Sequence, residues 1–107
     1  MQGKGQVHSL PLFRKGVVVD HRIFGYRGVI CQVDPVFRGT DSWYERVARS
    51  RPPKDRPWYH VLVHRSRVMT YVAERHLVRT GQPGPVVHPM IGDYFSGYAD
   101  GLYLPNP

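Results

Sequence analysis

Apolar and polar positions alternate in short bursts along this chain, and glycine or proline separates the bursts. From Gly16 the sequence reads GVVVDHRIFGYRGVICQVDP. Residues Val17 to Arg22 and Arg27 to Asp34 are rich in β-branched side chains and flank a glycine-containing turn, Ile23-Phe24-Gly25-Tyr26. That pattern predicts a β-hairpin. Asp34-Pro35 ends the second strand, because proline cannot supply the next ladder donor. A further strand pair is expected over Trp58 to His64 and Val68 to Ala73, with Ser66-Arg67 near the turn. With a period of two, Tyr59, Val61 and Val63 share one face, and Trp58, His60, Leu62 and His64 the other. Glu74 to Val78 reads as a short extended or turn element.

The connection over residues 36–57 is long. Ser42 followed by Glu45 matches a capping box, so a short helix is expected within TDSWYERVARS, stopped by Pro52-Pro53. So short a helix is unstable alone, so Trp43, Tyr44 or Val47 must pack on the sheet. Residues 1–13 show no periodicity and read as a loose arm. The segment TGQPGPVVHP has the composition of an irregular loop. The tail holds Tyr94, Phe95, Tyr98 and Tyr103, too many aromatics for a disordered end, and is expected to cover an edge or open end of the sheet. The expected layout is an arm over 1–13, a β-barrel domain over 14–78 and a packed extension over 79–107. The expected fold is mainly all-β, a small SH3-like barrel, with a small sandwich almost equally compatible with composition.

Composition changes the picture in two ways. Proline and glycine supply 21 of 107 residues and hydrophobic residues 41%, which suits short strands and turns rather than a helical bundle. One cysteine, Cys31, excludes an internal disulfide and a cysteine-cluster zinc site. No apolar run approaches the length of a membrane span, and the N-terminus lacks a signal-peptide core, so a cytoplasmic protein is expected.

Charge is more specific. The net charge is +7, and Arg46, Arg49, Arg51, Lys54, Arg56, Arg65 and Arg67 are opposed only by Asp55 between residues 46 and 67. That segment therefore carries +6 of the +7 and favours a polyanionic partner. A solvated basic loop, or one docked on an acidic protein, fits the same run.

Catalysis and metal binding find little support. His60 and His64 share a strand face but lie about 13 Å apart along it, too far for one zinc. No spacing brings His21, His76 and His88 together. Cys31 sits in the apolar run GVICQV, where a buried, inert thiol is usual. Ser42, Ser66 and Ser96 lack a nucleophile motif. No catalytic residue, metal or cofactor is expected.

The blocks His21-Arg22, Phe24-Gly25-Tyr26-Arg27-Gly28-Val29-Ile30, Asp34-Pro35, Trp43, Pro57-Trp58-Tyr59-His60-Val61-Leu62-Val63 and Thr70-Tyr71-Val72-Ala73-Glu74 resemble, in order, the HspQ/YccV-like family, also called the hemimethylated-DNA-binding domain. The later His88-Pro89, Tyr94-Phe95 and Tyr103-Leu104-Pro105-Asn106 resemble the extension of its F-box and plastid Clp-adaptor relatives. The resemblance implies an SH3-like barrel without catalytic residues. It also implies one of two roles: binding double-stranded DNA, with hemimethylated sites preferred, or serving an ATP-dependent protease such as Lon or Clp as an adaptor. Stand-alone bacterial members are acidic in the long loop, whereas this chain is basic there, which favours DNA.

The seven cations named above are thus the expected phosphate contacts. Tyr26, Arg27, Trp43, Trp58, Tyr59 and Tyr71 are expected to shape the adjoining surface. For the adaptor reading the expected contact surface is His60, Tyr71 and Glu74, or the aromatic tail. Homo-oligomers through sheet edges or the tail stay open.

Overall fold

The computed structural model describes residues 10–107. Strand β1 (Val18–His21) and β2 (Arg27–Asp34) form the expected hairpin. The His21 ring fixes its turn, its Nδ1 accepting hydrogen bonds from the Ile23 and Phe24 amides at 3.1 Å each. Strands β3 (Trp58–Val63) and β4 (Met69–Ala73) follow the insertion, and a 3-10 turn (Glu74–His76) leads into β5 (Leu77–Arg79). All pairings are antiparallel, in the order β4-β3-β2-β1-β5. The ladder is open, with β4 and β5 as its two edges. The closed barrel expected from the strand pattern is therefore not formed by backbone pairing. A side-chain bond from the β1–β2 turn to β4, Tyr26 Oη to Thr70 Oγ1 at 2.8 Å, spans part of the gap.

Alternation sends the central strands into two separate cores. Val17, Val19, Ile30, Tyr59, Val61, Val72 and Leu77 fill one face, joined by Phe13. Phe13 stands in the stretch read as a loose arm, yet it is buried edge-on against the Tyr59 ring at 5.6 Å. Leu12 is tied down as well, its amide donating to Glu74 at 3.0 Å. The remainder of the expected arm, residues 1–9, lies outside the described residues. On the other face Val18, Val29, Cys31 and Leu62 pack against Val86, Phe95 and Tyr103. Each fully buried aliphatic side chain, such as Ile30 or Leu62, contributes about 1.5–3 kcal/mol.

The second face is covered by the tail. After a single helical turn, α2 (Ile91–Tyr94), strands β6 (Phe95–Ala99) and β7 (Leu102–Pro105) form their own hairpin. Asp100 and Gly101 connect them with φ of 53° and 78°, the two positive values a tight type I′ turn requires. The Tyr103 amide donates to Gly16 O at 2.9 Å, and its hydroxyl binds the Val86 backbone. The aromatic tail thus packs mainly on a sheet face, Val18 of β1 included, and meets the chain just before β1 through the Val17–Leu102 bridge.

The insertion carries helix α1 (Asp41–Val47). Its cap is Thr40 rather than the expected Ser42. Thr40 Oγ1 accepts from the Trp43 amide at 3.1 Å, and Thr40 has the extended backbone of a cap. Seven residues do not hold a helix alone. Tyr44 holds it to the sheet, buried beside Trp58, Phe37 and Ala48, with its hydroxyl donating to Pro52 O at 2.6 Å.

Candidate nucleic-acid interface

The seven cations occupy two places. Arg46 lies on α1, and Arg49, Arg51, Lys54 and Arg56 follow it on the loop into β3. Arg65 and Arg67 lie in the β3–β4 turn, at the far end of β3. A six-residue strand separates the groups, about 20 Å.

Their partners divide them again. Arg51 pairs with Glu45 at 2.6 Å and Lys54 with Asp41 at 3.2 Å, all four largely exposed. Lys54 also lies 4.3 Å from the Tyr44 ring centroid, so its charge is shared with the packing of the insertion. Arg56 sits 4.0 Å from Asp55. Arg46, Arg49, Arg65 and Arg67 are exposed, and their side chains have no partner among the described residues. These four present uncompensated positive charge.

The residues expected to shape the adjoining surface part company. Tyr59 is fully buried, its hydroxyl donating to Glu74 at 2.6 Å, and presents no surface. Burial and the Glu74 carboxylate both push its pKa up. Trp58 is 2% exposed, with Nε1 donating to Pro53 O at 3.0 Å. Both are core because β3 is an interior strand, paired on both sides, of a sheet covered on both faces. Trp43 is half-buried and stacks on Phe37 at 6.0 Å, anchoring the insertion. Arg27 turns to the loop after β5, donating to Gly84 O at 2.8 Å and lying 3.2 Å from His64 Nε2. Tyr26 reaches Thr70 instead of the basic loop.

His60 and Tyr71 come together over Asp34, the last residue of β2. Asp34 is 5% exposed; Tyr71 Oη donates to its Oδ2 at 2.6 Å and His60 Nε2 lies 3.3 Å from the same oxygen. Burial would raise the Asp34 pKa, but bonds from Tyr71, Gln32 and His60 outweigh it and hold the carboxyl below its usual value. Glu74 lies apart from this group, bound to Tyr59 and Leu12. The expected His60, Tyr71 and Glu74 surface is thus divided.

The His21 and His76 rings lie 5.6 Å apart, tilted by 44°, while His88 Nε2 donates to Val68 O at 3.0 Å. Burial lowers the His21 pKa, helped by His76. Among the described residues no three histidine, cysteine or acidic side chains are grouped to hold a metal. Nor is any helix there long and apolar enough to cross a membrane.

One concavity adjoins the basic loop, a cleft of about 570 Å³. The helix and loop from Trp43 to Pro52 form one wall and the β1–β2 turn the other, with Trp58 and the whole of β4 between them. Sequence reasoning missed it, because its walls come from three distant segments. The exposed pair Ile23-Phe24 in a turn was the one available signal.

An open five-stranded antiparallel sheet, a basic insertion and a tail hairpin define a small β-rich domain. Residues 11–102 match the model of the family described as hemimethylated DNA-binding protein YccV-like, and the chain belongs to that family. It is 31% identical over 101 residues to F-box only protein 21 of Mus musculus, and 30% identical to the Homo sapiens protein of that name. In each case 92% of this chain is covered but only 16% of the relative. The chain therefore spans about a sixth of the length of these curated relatives.

Proposed function

We propose that this chain is a non-enzymatic module that binds double-stranded DNA through phosphate contacts, with its sheet read as an SH3-like barrel left open between β4 and β5. The observation that carries the reading is the set of unpartnered, exposed cations Arg46, Arg49, Arg65 and Arg67 on a chain of net charge +7. The family description names hemimethylated DNA, which supports the same class of partner. Guanidinium groups meet phosphate bidentately, and four of them at two ends of one hairpin fix a protein on a duplex backbone. Arg51, Lys54 and Arg56 add to the local field but share their charge with acids on the same loop or helix.

A gel-shift series tests this with unmethylated, hemimethylated and fully methylated duplexes at two salt concentrations. Binding that weakens with salt, and is lost in an Arg46→Glu, Arg49→Glu double variant, supports the reading. No shift for any duplex at low salt ends it. A second reading, an adaptor for an ATP-dependent protease, is favoured by one observation. Ile23, Phe24 and Val47 stand exposed around the cleft, 64%, 77% and 51% accessible.

A further inference from the structure

The open seam of the sheet has the features of a peptide site. Strand β4 is an edge, and all five of its residues line the cleft. The Val63 amide donates to Val68 O at 3.0 Å, so this pair is hydrogen-bonded across the hairpin. Antiparallel pairs alternate, and the register then makes Val61–Thr70 and Tyr59–Val72 the next bonded pairs. The backbone groups of Met69, Tyr71 and Ala73 consequently point away from β3. Those of Met69 and Tyr71 have no hydrogen-bond partner among the described residues, while the Ala73 carbonyl starts the following 3-10 turn. The edge, MTYVA, also carries no charge, proline or bulge that would discourage pairing.

The side chains around that edge specify the visitor. Apolar and aromatic groups dominate the cleft, and no aspartate or glutamate lines it. Its rim is cationic. Arg49 lines it, Arg22 lies between the lining residues His21 and Ile23, and Arg75 precedes the lining His76. Arg75 Nη2 also donates to the backbone of Ser50, another lining residue. A second copy of this +7 chain, pairing β4 to β4, would bring two cationic rims together and is disfavoured. A nucleic-acid strand offers no row of amides for the edge, and its phosphates would meet Ile23 and Phe24.

We infer that this seam binds an extended acidic peptide segment, which adds a strand to β4 and places one bulky apolar side chain in the cleft. The inference deepens the adaptor reading above and is independent of the DNA reading. Main-chain bonds give such a segment affinity, and the cleft and rim select its side chain and charge.

The test uses the full chain and a labelled peptide, DEDVFVDED, followed by fluorescence anisotropy. Binding is expected for it, and not for KKKVFVKKK or DEDGGGDED. Methylating alternate backbone nitrogens of the peptide keeps its charge and side chains but removes strand pairing, and is expected to weaken binding at least about tenfold. Ile23→Ser with Phe24→Ser, both exposed positions, is expected to weaken it to a similar degree with an unchanged circular dichroism spectrum. Met69→Pro, which removes an outward-pointing amide along with one lining side chain, is expected to do the same. Equal binding of the methylated peptide overturns the inference even if the proline variant fails to fold. So does equal binding of the basic peptide, or self-association of the chain that excludes the acidic one. Displacement by a short duplex of a peptide insensitive to methylation assigns the cleft to nucleic acid, and likewise overturns it. Duplex binding at the unpartnered arginines is read separately, so either reading can fail alone.

Discussion

The Tyr71 hydroxyl donates a 2.6 Å hydrogen bond to the Asp34 carboxylate, tying β4 to β2 across the intervening β3. His60 supplies the middle member, 3.3 Å from the same oxygen. A row of three polar side chains, one per strand, thus crosses the sheet beside the anchored helix.

The pH dependence of stability follows from that row. The Asp34 pKa is lowered in the folded state, so its contribution is fully present above the unfolded carboxylate pKa and is lost as pH falls through the folded value. Tyr71→Phe removes this charge-assisted bond, expected to cost about 1.5–3 kcal/mol at neutral pH, together with the acceptor of the Arg38 amide at 3.0 Å. The gap between wild type and variant in urea unfolding is expected to narrow below about pH 4, leaving the part due to Arg38. A gap unchanged down to pH 2.5 would show that the carboxylate is not its source.

Much of this was legible beforehand. β-Branched runs between glycines gave β1 to β4 nearly to the residue, and period two separated Tyr59 and Val61 from Trp58 and Leu62 correctly. Local geometry was less legible: Thr40 and Ser42 are equally good caps on paper, and only the backbone angle selects Thr40. The tail hairpin had its own signal, Asp100-Gly101 between alternating aromatics, which the aromatic count obscured. Non-local facts were not legible at all. The burial of Phe13, the Asp34 row and the open β4 edge depend on residues dozens of positions apart.

Gly16 is where the tail meets the sheet. Its φ is +101°, and an added Cβ would collide with the Tyr103 carbonyl oxygen. Gly16→Ala therefore combines backbone strain with a clash against a backbone atom that cannot swing aside. The expected loss exceeds about 1 kcal/mol, with fast hydrogen exchange at the Tyr103 amide, which donates to Gly16 O. Protection at that amide equal to wild type would mean the tail docks independently of this contact. Gly25→Ala provides the contrast, since its φ is also positive but nothing stands in the way of a Cβ.

Cys31 is buried at 1% exposure, and that burial pushes its thiol up to about 11. Very little thiolate exists at pH 8, and little reagent reaches it. Labelling by a disulfide reagent is expected to be slow in the native protein and to accelerate with urea in step with unfolding. Fast stoichiometric labelling at pH 8 without denaturant would show that the Val86 and Phe95 cover opens locally.

The salt dependence of duplex binding discriminates among the cations. If Arg46, Arg49, Arg65 and Arg67 each neutralise a phosphate, the log–log slope is about −3.6, at roughly 0.9 per contact. Arg46→Gln with Arg49→Gln is then expected to reduce its magnitude by about 1.8, and Arg65→Gln with Arg67→Gln by the same amount. The two groups are about 20 Å apart along β3, a span of about six base pairs, so one duplex face can meet both. Arg51→Gln is expected to change the slope far less, because its guanidinium already lies 2.6 Å from Glu45. Equal slope changes for Arg51 and Arg49 would mean that the intramolecular pair opens on binding. A slope untouched by either double substitution would remove these arginines from the interface.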